Sequence, residues 1–159
     1  MITQCLRPRD KFICKAVTLD GKPVEFYRLN RVSVSTTVYD TVDQDMKDTY
    51  QEFGIKEKYV VEAITMSEII SMLERVPDMM SIDIEGQDWD VLHNMNFQTF
   101  RPKVIIAELM AWGHYDHSPE DFVRFFKENG YILFAQTQCN GVFVDKAYES
   151  QLHEYLPDK

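Results

Sequence analysis

Three acidic side chains stand where strands of an α/β sheet give out. The short apolar run Met79-Met80-Ser81-Ile82 ends in Asp83-Ile84-Glu85-Gly86, and Val104-Ile105-Ile106-Ala107 ends in Glu108. In open α/β sheets, ligands bind outside the carboxyl ends of the strands. Asp83, Glu85 and Glu108 are therefore placed to share one rim, with neighbouring strand ends roughly 5 Å apart. Carboxylates that close repel one another and need a cation, a proton or hydrogen-bond donors. Three chemistries follow: holding a divalent metal, holding a cationic cofactor, or taking a proton from a hydroxyl substrate. Gly86 permits a sharp exit from the strand and close approach of a ligand. The competing reading has Asp83 or Glu85 capping the next helix and Glu108 binding backbone amides.

His114, in Trp112-Gly113-His114-Tyr115-Asp116-His117, follows the Glu108 strand and is a further candidate base at the same rim. His93 and His153 read as surface residues. Cys5, Cys14 and Cys139 are too few and too far apart for a disulfide framework or a zinc ribbon, so no metal site is predicted. The six glycines are spread so widely that no two build a phosphate-cradling loop.

The elements that position these residues are legible. Phe12 to Val17 and Val24 to Leu29 read as strands joined by the turn Asp20-Gly21-Lys22-Pro23, a hairpin. Residues 33–54 mix Ser and Thr with acids and read as an acidic loop, with a short helix near Met46 to Phe53. Tyr59 to Ile64 is a β-branched strand. Thr65-Met66-Ser67-Glu68 has the capping-box form, with Met66, Ile69, Ile70 and Leu73 at helical spacing. A helix follows from Asp88 to Met95. Ser118-Pro119-Glu120-Asp121 opens another, faced by Phe122, Phe125 and Phe126 and ended by Gly130. Tyr131 to Gln136 and Val142 to Val144 are strands, with Cys139-Asn140-Gly141 as the hairpin turn. From residue 59 the alternation of strand and helix predicts a parallel sheet covered by helices, with an antiparallel hairpin at its edge.

Composition sets the outer bounds. A chain of 159 residues, 45% hydrophobic, suits a single domain with a packed core. A net charge of −9 opposes binding to nucleic acid. Residues 1–31 nevertheless carry +4 and the remainder −13, so the basic end is able to dock on an acidic surface. No stretch has the ~18 apolar residues of a membrane span, and no export signal is legible, which leads us to expect a cytoplasmic setting.

Residues Met80 to Asp88, then Val91-Leu92, then Arg101-Pro102-Lys103-Val104-Ile105-Ile106-Ala107-Glu108, resemble the C-terminal half of FkbM-family methyltransferases. Ile64-Thr65-Met66 and the segment Ala16-Val17 to Phe26-Tyr27 are similar to upstream parts of that family. Ser81, Ser67 and Asn94 depart from it, standing where lysine, aspartate and glycine are usual.

The resemblance implies an α/β, Rossmann-like methyltransferase sheet ordered 3-2-1-4-5-7-6. It also implies S-adenosylmethionine as cofactor and methyl transfer to a hydroxyl of a small molecule or sugar. By that likeness Asp83 and Gly86 lie against the cofactor, Asp83 orients the acceptor, Glu85 supports it, and Glu108 or His114 takes the proton. The family's glycine-rich turn and ribose-binding acid have no counterpart before Lys11. The expectation is thus a sheet incomplete at its N-terminus: a basic hairpin region over 1–31, the acidic loop over 33–54 and an α/β core over 59–145. Such a chain should bind S-adenosylmethionine no better than about millimolar. It should also expose the edge of the Met79–Ile84 strand, inviting a homodimer or a complementing chain. The alternative is a non-catalytic half-domain that binds a partner or regulates.

Overall fold

Strand pairing divides the described residues into three sheets. The computed structural model describes residues 10–29, 35–36, 48, 52, 54–84, 87–109, 117–149 and 151. In chain order the elements are β1 (Ala16–Val17), β2 (Val24–Leu29), β3 (Ser35–Thr36), β4 (Ile55–Val61), β5 (Ala63–Ile64) and α1 (Met66–Ser71). There follow β6 (Met79–Ile82), α2 (Asp88–His93), β7 (Val104–Glu108), α3 (Pro119–Glu128), β8 (Tyr131–Gln136) and β9 (Asn140–Asp145). The fold is mixed α/β, with both parallel and antiparallel strands.

The largest sheet has the order β6-β7-β9-β8. β6 and β7 run parallel, β9 runs antiparallel to β7, and β8 pairs antiparallel with β9. Burial alternates along β7, where Ile105 and Ala107 are buried between half-exposed Val104, Ile106 and Glu108. The helices cover the Ile105–Ala107 face: Val91 and Leu92 of α2 and Phe122, Phe125 and Phe126 of α3 join Ile82 and Phe143 in one core. Met79, at the start of β6, is 58% exposed, and among the described residues β6 has β7 as its one partner.

The capping box predicted at Thr65 is present, and the predicted Ser118 cap proves to be a second one. Thr65 Oγ1 accepts from the Glu68 amide while the Glu68 carboxylate accepts from the Thr65 amide, and Ser118 and Asp121 repeat the arrangement. Each box satisfies helix amides that have no partner within the helix. Gly130, at φ 80°, ends the turn after α3 in the left-handed region.

Two local expectations are corrected. The Phe12–Val17 and Val24–Leu29 segments do not form a hairpin. β1 is two residues long and pairs in parallel with β5, while β2 pairs antiparallel with β3 and β4. β4 gives the six-residue β2 a partner of matching length, Phe26 stacking on Tyr59 at 5.9 Å between centroids. Pairing with β5 instead carries Val17 against the core. Phe12 and Ile13 lie outside any strand and are exposed.

Asn140-Gly141 is also no turn. Both residues belong to β9, and the reversal is closed one step earlier, where the Thr137 amide donates to the Asn140 carbonyl at 2.8 Å. A Cβ on Gly141 would lie 2.7 Å from the Phe143 ring and 3.0 Å from Leu109. Glycine is there for close packing, not for its backbone freedom. Of the expected 33–54 loop, Ser35–Thr36 is a strand, Asp48 and Glu52 are helical, and most of the rest lies outside the described residues.

Candidate active site

The rim at the carboxyl ends of β6 and β7 is built by register. Ile82 lies beside Ala107 in the parallel pair, so Asp83 and Glu108 each take the next step along neighbouring strands. On the other side of β7, Glu108 pairs with Asn140. Laterally paired residues point to the same face of a sheet. Glu108 and Asn140 are therefore neighbours, roughly 4.8 Å apart, on the face opposite buried Ile105 and Ala107, and Asp83 lies one residue past the end of β6. Asp83 is exposed and Glu108 half-buried.

Glu85, Gly86 and His114 lie outside the described residues. The loop that carries Glu85 and Gly86 is nevertheless held at both ends. The Ile84 amide donates to both carboxylate oxygens of Asp88, at 3.2 and 3.3 Å, and Asp88 is fully buried at the first position of α2. Gln87, which precedes α2, makes no side-chain cap. The carboxylate that closes the turn is thus Asp88, not Asp83.

Residues 6–133 match the family model of the methyltransferase FkbM domain. The chain belongs to this family. The match includes Asp83, Asp88 and Glu108, and Asn140 lies beyond it. No curated protein and no solved structure matches the chain.

In this FkbM-family chain α2 is tied to the residue before α3 by aromatic stacking. Trp89, one residue into α2, stacks on His117 with ring centroids 4.1 Å apart and planes 21° from parallel. Its edge meets Phe122 of α3 at 5.0 Å, and His93 lies on the same helix 5.2 Å away. His117 directly precedes the Ser118 cap, so the stack fixes where the chain re-enters α3 from the rim.

At the other end of the sheet, Arg101 joins the segment before β7 to the end of β9 and the turn after α3. Nε and one terminal nitrogen donate to the two oxygens of Asp145 at 2.7 and 3.0 Å, and the guanidinium also reaches the carbonyls of Asn129 and Gly130. Burial pushes the Asp145 carboxyl up. The Arg101 hydrogen bonds, the Ala147 amide and the guanidinium charge outweigh it and hold the group below the usual aspartate range. Burial likewise raises the Tyr131 phenol, whose hydroxyl donates to the Pro102 carbonyl at 2.8 Å.

Asn140 and Asp88 were hidden from sequence reasoning for different reasons. The Asn-Gly pair is itself a strong turn signal, and it masked a rim residue. Asp88 stands at the predicted helix start, where an exposed acid is the ordinary occupant. Among the described residues, no group of three or more His, Cys, Asp or Glu side chains could hold a metal ion, and no helix is long and apolar enough to cross a membrane.

Proposed function

We propose that the chain is an S-adenosylmethionine-dependent O-methyltransferase acting on a hydroxyl of a small molecule or sugar. The observation that carries this reading is the placement of Asp83 and Glu108 on adjacent parallel strand ends in a chain of the FkbM family. The order β6-β7-β9-β8, with β9 reversed, supports reading the sheet as the 4-5-7-6 part of a Rossmann-like methyltransferase sheet.

The rim residues fit the cationic end of S-adenosylmethionine, since an exposed carboxylate beside a half-buried one favours a positive charge. When bound, that cofactor supplies an electrophilic methyl group on a sulfonium, which leaves as a neutral thioether. Asp83 faces the cofactor and orients the acceptor. Glu108 takes the acceptor's hydroxyl proton as the new carbon–oxygen bond forms and the carbon–sulfur bond breaks. Asn140, beside Glu108, hydrogen-bonds the acceptor and limits its freedom, which favours in-line attack. Asp88 holds the Ile84 amide, just before Glu85 and Gly86 in sequence.

The test is transfer of labelled methyl from S-adenosylmethionine to a panel of hydroxyl acceptors, small phenols and sugars, with calorimetry of cofactor binding alongside. Glu108→Gln keeps the shape and removes the base, so we expect a loss of about 100-fold or more in kcat. Asp83→Asn should weaken cofactor binding. Turnover unchanged in both variants would sink the assignment.

A further inference from the structure

We infer that a second, uncharged cleft, at the end of the sheet where β6 and β7 begin, binds a neutral, hydroxyl-rich ligand the size of one sugar ring. This inference is independent of the proposed methyl transfer. The cleft encloses about 240 Å³ between the chain leaving β1, the first turns of α1 and the segment joining α2 to β7. That segment returns from the Asp83–Glu108 rim to the opposite end of the strands, so the two sites are separate.

Size and lining restrict the ligand. The volume falls below the roughly 300–1,000 Å³ of pockets for drug-sized molecules, which leaves room for a single small ring. No lining residue is charged, although 27% of the chain is Asp, Glu, Lys or Arg. An anion entering here would lose water with no opposite charge to replace it, and the Glu68 carboxylate, bonded to Thr65 Oγ1 at 2.8 Å, would repel it. Ile70, Val91 and Phe100 supply an apolar floor suited to the carbon–hydrogen face of a sugar ring.

The polar lining groups have specific hydrogen-bonding capacity left over. Thr18 Oγ1 accepts from the Gly21 amide at 3.0 Å, leaving its own proton to donate. Asn94 Nδ2 donates to the Asp90 carbonyl at 2.8 Å, leaving its oxygen to accept. Asn96 Oδ1 accepts from the Gln98 amide at 2.9 Å, leaving its nitrogen to donate. Donor, acceptor and donor around one small cleft match neighbouring hydroxyls, each of which both donates and accepts. A wholly apolar ligand would strip water from these groups and replace none of it.

The experiment is saturation-transfer NMR on the intact chain with glucose, galactose and N-acetylglucosamine at roughly millimolar concentration. Glucuronate serves as the charged counterpart and cyclohexanol as the ring with one hydroxyl. We expect transfer to at least one neutral sugar, about tenfold weaker binding of glucuronate, and no transfer in Ser67→Trp, which fills the cleft from its exposed wall. Asn96→Asp keeps the acceptor for the Gln98 amide but adds a charge and removes the donor. Binding should weaken about tenfold in that variant, with thermal melting unchanged. The proposal is overturned by transfer to none of the neutral sugars, by equal or tighter binding of glucuronate or cyclohexanol, or by transfer that survives in folded Ser67→Trp and Asn96→Asp.

Discussion

The fully buried carboxylate of Asp88 holds the backbone amide of Ile84, four residues back, and so closes the turn between β6 and α2 from inside. A buried carboxylate that loses its place strands an amide at the rim, and an unsatisfied buried donor costs about 1–3 kcal/mol. Asp88→Ala should therefore lower stability by about that amount and speed hydrogen exchange at Ile84. Asp88→Asn keeps an oxygen acceptor and should preserve much of the protection. Equal protection of the Ile84 amide in the alanine variant would show that the turn closes without this carboxylate.

Arg101 and Asp145 tie the other end of the sheet. Removing the arginine leaves a carboxylate whose side chain is 4% exposed without its partner. Breaking such a pair from one side costs roughly 3 kcal/mol, so Arg101→Met should lower the urea midpoint markedly. Arg101→Lys should recover part of the loss, because lysine keeps the charge but not the two-pronged geometry.

The same pair sets a pH dependence. Asp145 titrates below its ordinary value in the folded chain, despite the opposing effect of burial, because Arg101 and the Ala147 amide bind its charged form. A carboxyl whose pKa falls on folding adds stability above its unfolded value of about 3.9 and loses it as pH falls through the folded value. Stability should therefore decline on acidification below about pH 4. The decline should be shallower in Asp145→Asn, and urea titrations at a series of pH values would resolve the two slopes.

The helix caps were read correctly from local signals, and so was the parallel pairing of the strands before Asp83 and Glu108, but the partner of β1 and the Asn140-Gly141 turn were not. The capping boxes at Thr65 and Ser118 are complete within four consecutive residues, and the apolar runs before Asp83 and Glu108 are strands, although β6 buries only Ile82. The partner of β1 was misread because strand pairing is chosen across the chain: β2 binds β4, some thirty residues away, and leaves β1 to β5. Gly141 was misread because sequence cannot distinguish a glycine needed for its backbone from one needed for its missing side chain. With that turn misplaced by one step, Asn140 was assigned to a reversal instead of to the rim beside Glu108.

Gly141 gives a direct check on that distinction. A methyl group there meets the Phe143 ring at 2.7 Å, with Phe143 fully buried against Phe126 at 3.9 Å between centroids. The ring has little room to withdraw, and overpacking of this kind costs about 1–3 kcal/mol. Gly141→Ala should be destabilising to that extent. A neutral outcome by thermal melting would mean that the Phe143–Phe126 stack yields easily.

The stack of Trp89 on His117 couples α2 to the residue before α3, and its strength is measurable. Offset aromatic pairs contribute about 0.5–1.5 kcal/mol beyond the area they bury. Trp89 also packs against Phe122 and Phe125, so Trp89→Leu alone mixes the stack with general core loss. His117→Ala alone mixes it with changes beside the Ser118 cap. A double-mutant cycle in urea separates these effects, because contributions outside the pair cancel. We expect a coupling of about 1 kcal/mol. Coupling near zero would mean that the rings are neighbours without joining α2 to the residue before α3, and the rim would then depend on Asp88 and the strand register alone.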